Sequence, residues 1–96
     1  MSITFRVKFM VKKEGIEAFK NASISNKLAS DQEKGCLLFE VFQETDDPKS
    51  FLMIESYLDK GAQKSHFESA RFNAWKAATK DLIEGSELKQ LVQLSM

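Results

Sequence analysis

Residues 64–75, KSHFESARFNAW, hold the chain's one histidine, His66, and its one tryptophan, Trp75. Imidazole changes charge near neutral pH, so a histidine enclosed by apolar walls suits general acid–base work. The ordinary roles are a satisfied buried histidine and a core tryptophan. Trp75 lies at helical spacing from Phe72 and reads mainly as packing that also supplies a pocket wall. A carboxylate pair is the next candidate. If Thr45 pairs with Ser50 across a hairpin, Glu40 falls opposite Glu55, and two acids at fixed separation can divide acid and base duties. Both would share a face with Arg6 and Lys8, which favours a structural ion-pair network over catalysis.

Other chemistry finds little support. Ser65 and His66 are helical neighbours pointing about 100° apart, and no Gly-x-Ser-x-Gly elbow or Gly-x-Gly phosphate loop occurs. Cys36 opens a strand directly after Gly35, with no histidine nearby in sequence, and reads as a small buried hydrophobe. One cysteine and one histidine fall short of a zinc or iron–sulfur ligand set, so no metal site is expected.

The composition bounds the remaining classes. A chain of 96 residues makes one domain, 1–96, and its 43% apolar content with eight phenylalanines supports a packed core. Fourteen basic and fourteen acidic residues cancel, which argues against a nucleic-acid partner. No apolar run reaches the roughly 20 residues that span a bilayer. The opening MSITFRVKFMVKKEG alternates instead of forming a signal peptide's apolar block. A reduced cytoplasmic domain is the expectation.

Periodicity supplies the elements that must position His66. ITFRVKFMV (3–11) alternates strictly and predicts a strand. Residues 14–33 predict a helix anchored by Ile16, Phe19, Ile24 and Leu28, with Gly35 as its stop. CLLFEVFQE (36–44) and SFLMIESYL (50–58) flank TDDPK and predict an antiparallel hairpin. Asp59 caps a short helix through residue 69. A further helix over 71–84 places Phe72, Trp75, Thr79 and Leu82 on one face, and Gly85 stops it. ELKQLVQLS (87–95) predicts a last, weaker strand. This order gives an α+β, ferredoxin-like split βαβ fold with a four-stranded antiparallel sheet, its first and third strands central.

If helices cover the Val7–Phe9 side, matching parity brings Phe39, Val41, Leu52 and Ile54 to that side. The opposite face then carries Arg6, Lys8, Met10, Glu40, Phe42, Met53, Glu55 and Tyr57, with Arg6 and Lys8 as partners for Glu40 and Glu55. Large apolar groups there imply that two subunits stack their sheets as a homodimer.

KGCLLFEVFQETDDPKSFLMIESY, followed by KSHFESARFNAW, resembles the antibiotic biosynthesis monooxygenase domain. That family includes quinol monooxygenases and an isomerase that degrades a phosphorylated quorum-sensing signal. The shared pattern is a Gly-Cys opening the second strand, a Glu within it, an Asp-Asp-Pro hairpin and a Glu near the end of the third strand. A His or aromatic follows, six residues before a Phe. The resemblance implies a dimeric α/β barrel, a pocket in each subunit between helices and sheet, and chemistry without metal or flavin. An electron-rich substrate such as a hydroquinone or anthrone loses a proton and passes an electron directly to oxygen.

By position His66 becomes the base, Phe72 the aromatic six residues later and Val7 a pocket position on the first strand. Phe9 and Phe39, on the helix-covered side by parity, and Trp75, by helical spacing, complete the lining expected to meet a small aromatic substrate. Haem-degrading relatives carry an asparagine, a tryptophan and a haem-ligating histidine where this chain has Val7, His66 and Lys76, so the residues present do not suit haem. Tyr57 stands where many members have tryptophan. Two alternatives stay open. One is an isomerase of a small carbonyl compound, phosphorylated or not, using a rim cation such as Lys64, Arg71 or Lys76. The other is a dimeric ligand-binding or stress-associated domain without turnover.

Overall fold

The computed structural model describes residues 2–94. Strand β1 (Ile3–Val11) leads through a 3-10 turn at Lys13–Gly15 into helix α1 (Ile16–Ser30). The hairpin β2 (Cys36–Gln43) and β3 (Ser50–Tyr57) follows, then helices α2 (Lys60–Phe67) and α3 (Ala70–Thr79), then β4 (Ile83–Leu91). The strands form one antiparallel sheet in the order β2-β3-β1-β4. This is the expected ferredoxin-like α+β fold, with β1 and β3 central.

Alternation on β1 turns Phe5, Val7, Phe9 and Val11 into the core, against Phe51, Met53 and Tyr57 of β3 and Phe39 of β2. Aromatic rings bind the helices to this face. Phe19 of α1 lies 4.8 Å from Phe51 and 5.6 Å from Phe9, centroid to centroid, and Trp75 of α3 meets Phe9 edge-on at 5.6 Å. Such pairs add roughly 0.5–1.5 kcal/mol each beyond their burial.

The hairpin register differs from expectation by one residue. Glu44, not Thr45, faces Ser50, with the Glu44 N–H donating to the Ser50 carbonyl at 2.9 Å. Asp47 holds the turn by accepting the Ser50 N–H at its carbonyl and the Lys49 N–H at its carboxylate. A one-residue slip moves every side chain to the other face. Glu55 therefore opposes Phe39, and Glu40 opposes Ile54. Against β1, Met53 pairs with Val7 and Glu55 with Phe5. Met53, Glu55 and Tyr57 thus belong to the helix-covered side, and Leu52 and Ile54 to the open face. The parity inferred for β3 is corrected, and the Glu40–Glu55 pair does not exist. Arg6 and Lys8 instead pair with Glu87 and Glu44.

In helix α1, Ile16 and Phe19 face the core as expected, but the later half of the apolar stripe does not. Phe19, Ser23, Asn26 and Ser30 are buried, while Ile24 and Leu28 are 50% and 61% exposed. The Ser23 hydroxyl accepts the Trp75 indole N–H at 3.0 Å, and Ser30 donates to the Asn26 carbonyl at 2.7 Å. Hydrogen bonding across a close helix contact outweighs the apolar stripe.

The two glycines read as helix stops act otherwise, and neither has a positive φ. A Cβ on Gly35 would sit 2.3 Å from the Ala62 Cβ, so Gly35 lets α2 close onto the start of β2. Gly85 lies within β4 opposite Met10, at the edge of a register shift. Helix α3 ends at Thr79 because the Leu82 N–H turns back to the Thr79 carbonyl and the Leu82 carbonyl accepts the Lys12 N–H. Ile83 then pairs with Val11, which starts β4 earlier than residue 87. Residue 95, the end of the predicted strand, lies outside the described residues.

Candidate functional site

Between the sheet and α3 lies a cavity of about 260 Å³ with mostly apolar walls. Phe5, Val7 and Phe9 of β1 and Met53 of β3 form its sheet side, and Phe72, Trp75 and Thr79 of α3 form its roof. Phe67, Ile83 and Leu88 complete the apolar lining. Of the residues assigned to substrate contact from sequence, Val7, Phe9, Phe72 and Trp75 meet in this one space. Phe39 does not border it.

His66 stands beside the cavity, in an aromatic box. Asp59 starts α2 by accepting the Ala62 N–H at 2.8 Å, as expected of an N-cap, and α2 carries His66 onto the sheet. The imidazole is 1% exposed, with ring centroids of Tyr57 and Phe72 at 5.3 Å, Phe67 at 5.6 Å and Phe39 at 5.7 Å. Nδ1 lies 2.9 Å from Glu33 Oε1. A carboxylate only accepts, so Nδ1 carries the proton and donates, which leaves the Nε2 lone pair free in the neutral ring. Nε2 is buried without a partner. Phe67 and Phe72 touch both the imidazole and the cavity.

Three further polar groups line the cavity, of which Glu55 was weighed from sequence only as half of a pair with Glu40. Glu55 is 7% exposed in the wall and accepts the Tyr57 hydroxyl proton at 2.7 Å. Burial raises its carboxyl above the ordinary range, offset in part by the Tyr57 hydrogen bond and by His66. Burial, then the Glu55 charge, raises the Tyr57 phenol in turn, so it stays a donor. Asn26, 4% exposed, borders the cavity with its Oδ1 unpartnered. Lys80 lines the cavity beside Lys76, whereas Lys64 and Arg71, weighed as rim cations, do not. Reading Glu55 correctly required the hairpin register. Asn26 and Ser23 at i, i+3 gave a sequence signal only as polar interruptions of an apolar stripe.

Burial pushes the Cys36 thiol up to about 11, consistent with an unreactive packing residue. Among the described residues no three His, Cys, Asp or Glu side chains gather as a metal site would require.

The antibiotic biosynthesis monooxygenase family pattern matches residues 2–78, most of the chain. The chain belongs to that family. A Bacillus subtilis relative described as "Putative monooxygenase YcnE" is 30% identical over 81 residues, 84% of this chain and 85% of its own length. Among solved structures, one described as "Putative antibiotic biosynthesis monooxygenase from Nitrosomonas europaea" superposes with a TM-score of 0.90 at 30% identity. It covers 99% of this chain and 100% of that one. One from Bacteroides thetaiotaomicron reaches 0.95 at 23% identity, over 98% and 90% of the two chains, and supports the fold alone. Family membership supports a monooxygenase-like role. Within the matched region, Tyr57 is a fully buried ring whose hydroxyl fixes Glu55.

Proposed function

We propose that this family member oxidises a small hydroxylated arene, quinol-like or polyketide-like, without metal or flavin, using His66 as base. One observation carries the reading. An aromatic-walled cavity of about 260 Å³ adjoins a buried imidazole that Glu33 orients and whose Nε2 is unpaired. Phe67 and Phe72 must turn aside for Nε2 to reach a bound hydroxyl. Nε2 then takes the hydroxyl proton, and Glu33 stabilises the imidazolium. The resulting arenolate passes one electron to O₂, and the radical pair joins at ring carbon as a peroxide. The imidazolium returns its proton to the peroxide, and loss of water, which carries off the hydrogen on that ring carbon, leaves a quinone. One oxygen atom enters the product, the other leaves as water, and the substrate supplies all four electrons. The apolar walls keep bulk water from the arenolate.

Oxygen uptake across a panel of hydroquinones and anthrones tests this. His66→Ala should lower the rate about 10²–10⁴-fold, the usual worth of a positioned base. Glu33→Gln, which leaves the box filled, should lower it in the same direction. Equal rates in wild type and both variants, or no uptake with any compound, would overturn the proposal. No helix among the described residues is long and apolar enough to cross a membrane.

The open sheet face supports a homodimer, because Leu38 and Phe42 are 41% and 52% exposed beside the half-buried Leu52 and Ile54. Sedimentation as a single 10.9 kDa particle would count against that assembly.

A further inference from the structure

The cavity's polar groups are few, and they are sorted by sign. Asn26 and Glu55 are buried in its wall, 4% and 7% exposed. Asn26 Oδ1 has no hydrogen-bond partner, and the Tyr57 hydroxyl engages only one oxygen of Glu55. A buried polar atom without a partner is destabilising unless something else pairs it. Lys76 and Lys80 line the same space from its exposed side. Neither forms an ion pair among the described residues. The helix dipole favours a cation near the end of α3, but it does not require two of them to border one cavity. Like charges four residues apart on a helix repel, so their placement is better matched by an anion between them.

We infer that the substrate is a hydroxyarene that also carries an anionic group, a carboxylate or a phosphate. Its ring lies against Phe72 and Trp75, its anion rests at Lys76 and Lys80, and a second hydroxyl, distinct from the one that His66 deprotonates, meets Asn26 and Glu55. A hydroxyl both donates and accepts, so it satisfies the Asn26 amide in either orientation. The Glu55 carboxyl disfavours an anion at the inner end, and the lysines favour one at the mouth. The molecule therefore enters in one direction. This inference rests on reading the cavity as the substrate site.

Trp75 is the only tryptophan and forms part of the wall, so its fluorescence reports occupancy. Wild type and the Lys76→Gln/Lys80→Gln double variant are titrated with 2-naphthol, 2-naphthoate, 2-naphthyl phosphate and 6-hydroxy-2-naphthoate. The hydroxy acid should bind wild type more tightly than 2-naphthoate, and both anionic classes more tightly than 2-naphthol. The double variant should weaken the anionic probes by roughly fivefold or more and leave 2-naphthol unchanged. A preference between carboxylate and phosphate identifies the anion. If 2-naphthol binds as tightly as the acids, or the variant weakens all probes alike, the anionic substrate is wrong while the cavity remains a binding site. If no probe binds the folded protein, this inference and the cavity reading fall together.

Discussion

The box around His66 and the cavity wall at Glu55 lie on the same helix-covered face of the sheet, yet each handles its polar group differently. His66 is held from a distance: Glu33, in the turn after α1, reaches across 33 positions of chain to accept its Nδ1 proton. Four aromatic rings close around the imidazole. Glu55 is held locally, by Tyr57 two residues along the same strand, and its other oxygen is left for the cavity. The difference separates two needs of a site. A base must have its orientation fixed by tertiary structure, whereas a group that meets ligand must keep part of its hydrogen-bonding capacity unspent.

The box depends on how closely α2 approaches β2, and Gly35 sets that approach. Its φ is not positive, so backbone freedom does not explain the glycine. An added Cβ would lie 2.3 Å from the Ala62 Cβ and 3.3 Å from its Cα, where helix backbone cannot simply move aside. Gly35→Ala should destabilise the protein by about 2–3 kcal/mol in urea unfolding, the upper range for overpacking. Placed in an Ala62→Gly background, the same change should cost little, because the atom it strikes is gone. A double-mutant cycle without coupling would show that contact at this point does not seat His66.

Tyr57 belongs to both regions, since its ring packs on His66 and its hydroxyl serves Glu55. Tyr57→Phe separates them. The ring contacts of the box remain, and a buried carboxyl loses its donor, at a cost of about 1–2 kcal/mol. If the two regions are independent, the variant should keep the His66-dependent rate within a few-fold while unfolding at lower urea. Loss of rate as large as that of His66→Ala would instead join them in one proton path.

How much of this was legible follows from which physical signal fixes each part. The strict alternation of residues 3–11 fixes the faces of β1, and the element order fixes the sheet. Both are strong periodic signals that survive tertiary context. The Asp59 cap was legible because its hydrogen bond is local. The faces of β3 were not, because FLMI is apolar on both sides and parity then rests on a turn. Asp47 tightens that turn and shifts the pairing by one. Glu55 consequently reads as a surface ion-pair member and turns out to line the cavity. Helix α1 misleads for a different reason. Ile24 and Leu28 suggest a stripe, but small Ser23 can sit against Trp75 and accept its N–H, which the bulkier residues cannot do. Family resemblance marked His66, and only the fold supplied Glu33.

Glu55 also offers the gentlest way to tell the two regions apart, through pH. Its carboxyl is raised chiefly by burial, so the folded protein keeps the proton at pH values where the unfolded chain has lost it. The unfolded value is about 4.3. Across the interval above it the folded state binds more protons, and stability must fall as pH rises. The contribution is complete below the unfolded value, declines by at most about 1.4 kcal/mol per pH unit, and is gone above the folded value. Glu55→Gln cannot titrate. The stability of wild type minus that of the variant should therefore be greatest in acid and decrease toward neutrality before levelling. Glu44 and Glu87, whose carboxyls are lowered by Ser50 and Arg6 respectively, titrate in the opposite sense but are common to both proteins and cancel. Urea midpoints measured from pH 4 upward give the difference directly. A difference that is flat with pH, or grows as pH rises, would mean that the carboxylate is comfortable as an anion, and the cavity wall would then resemble the His66 box in having its charge already satisfied.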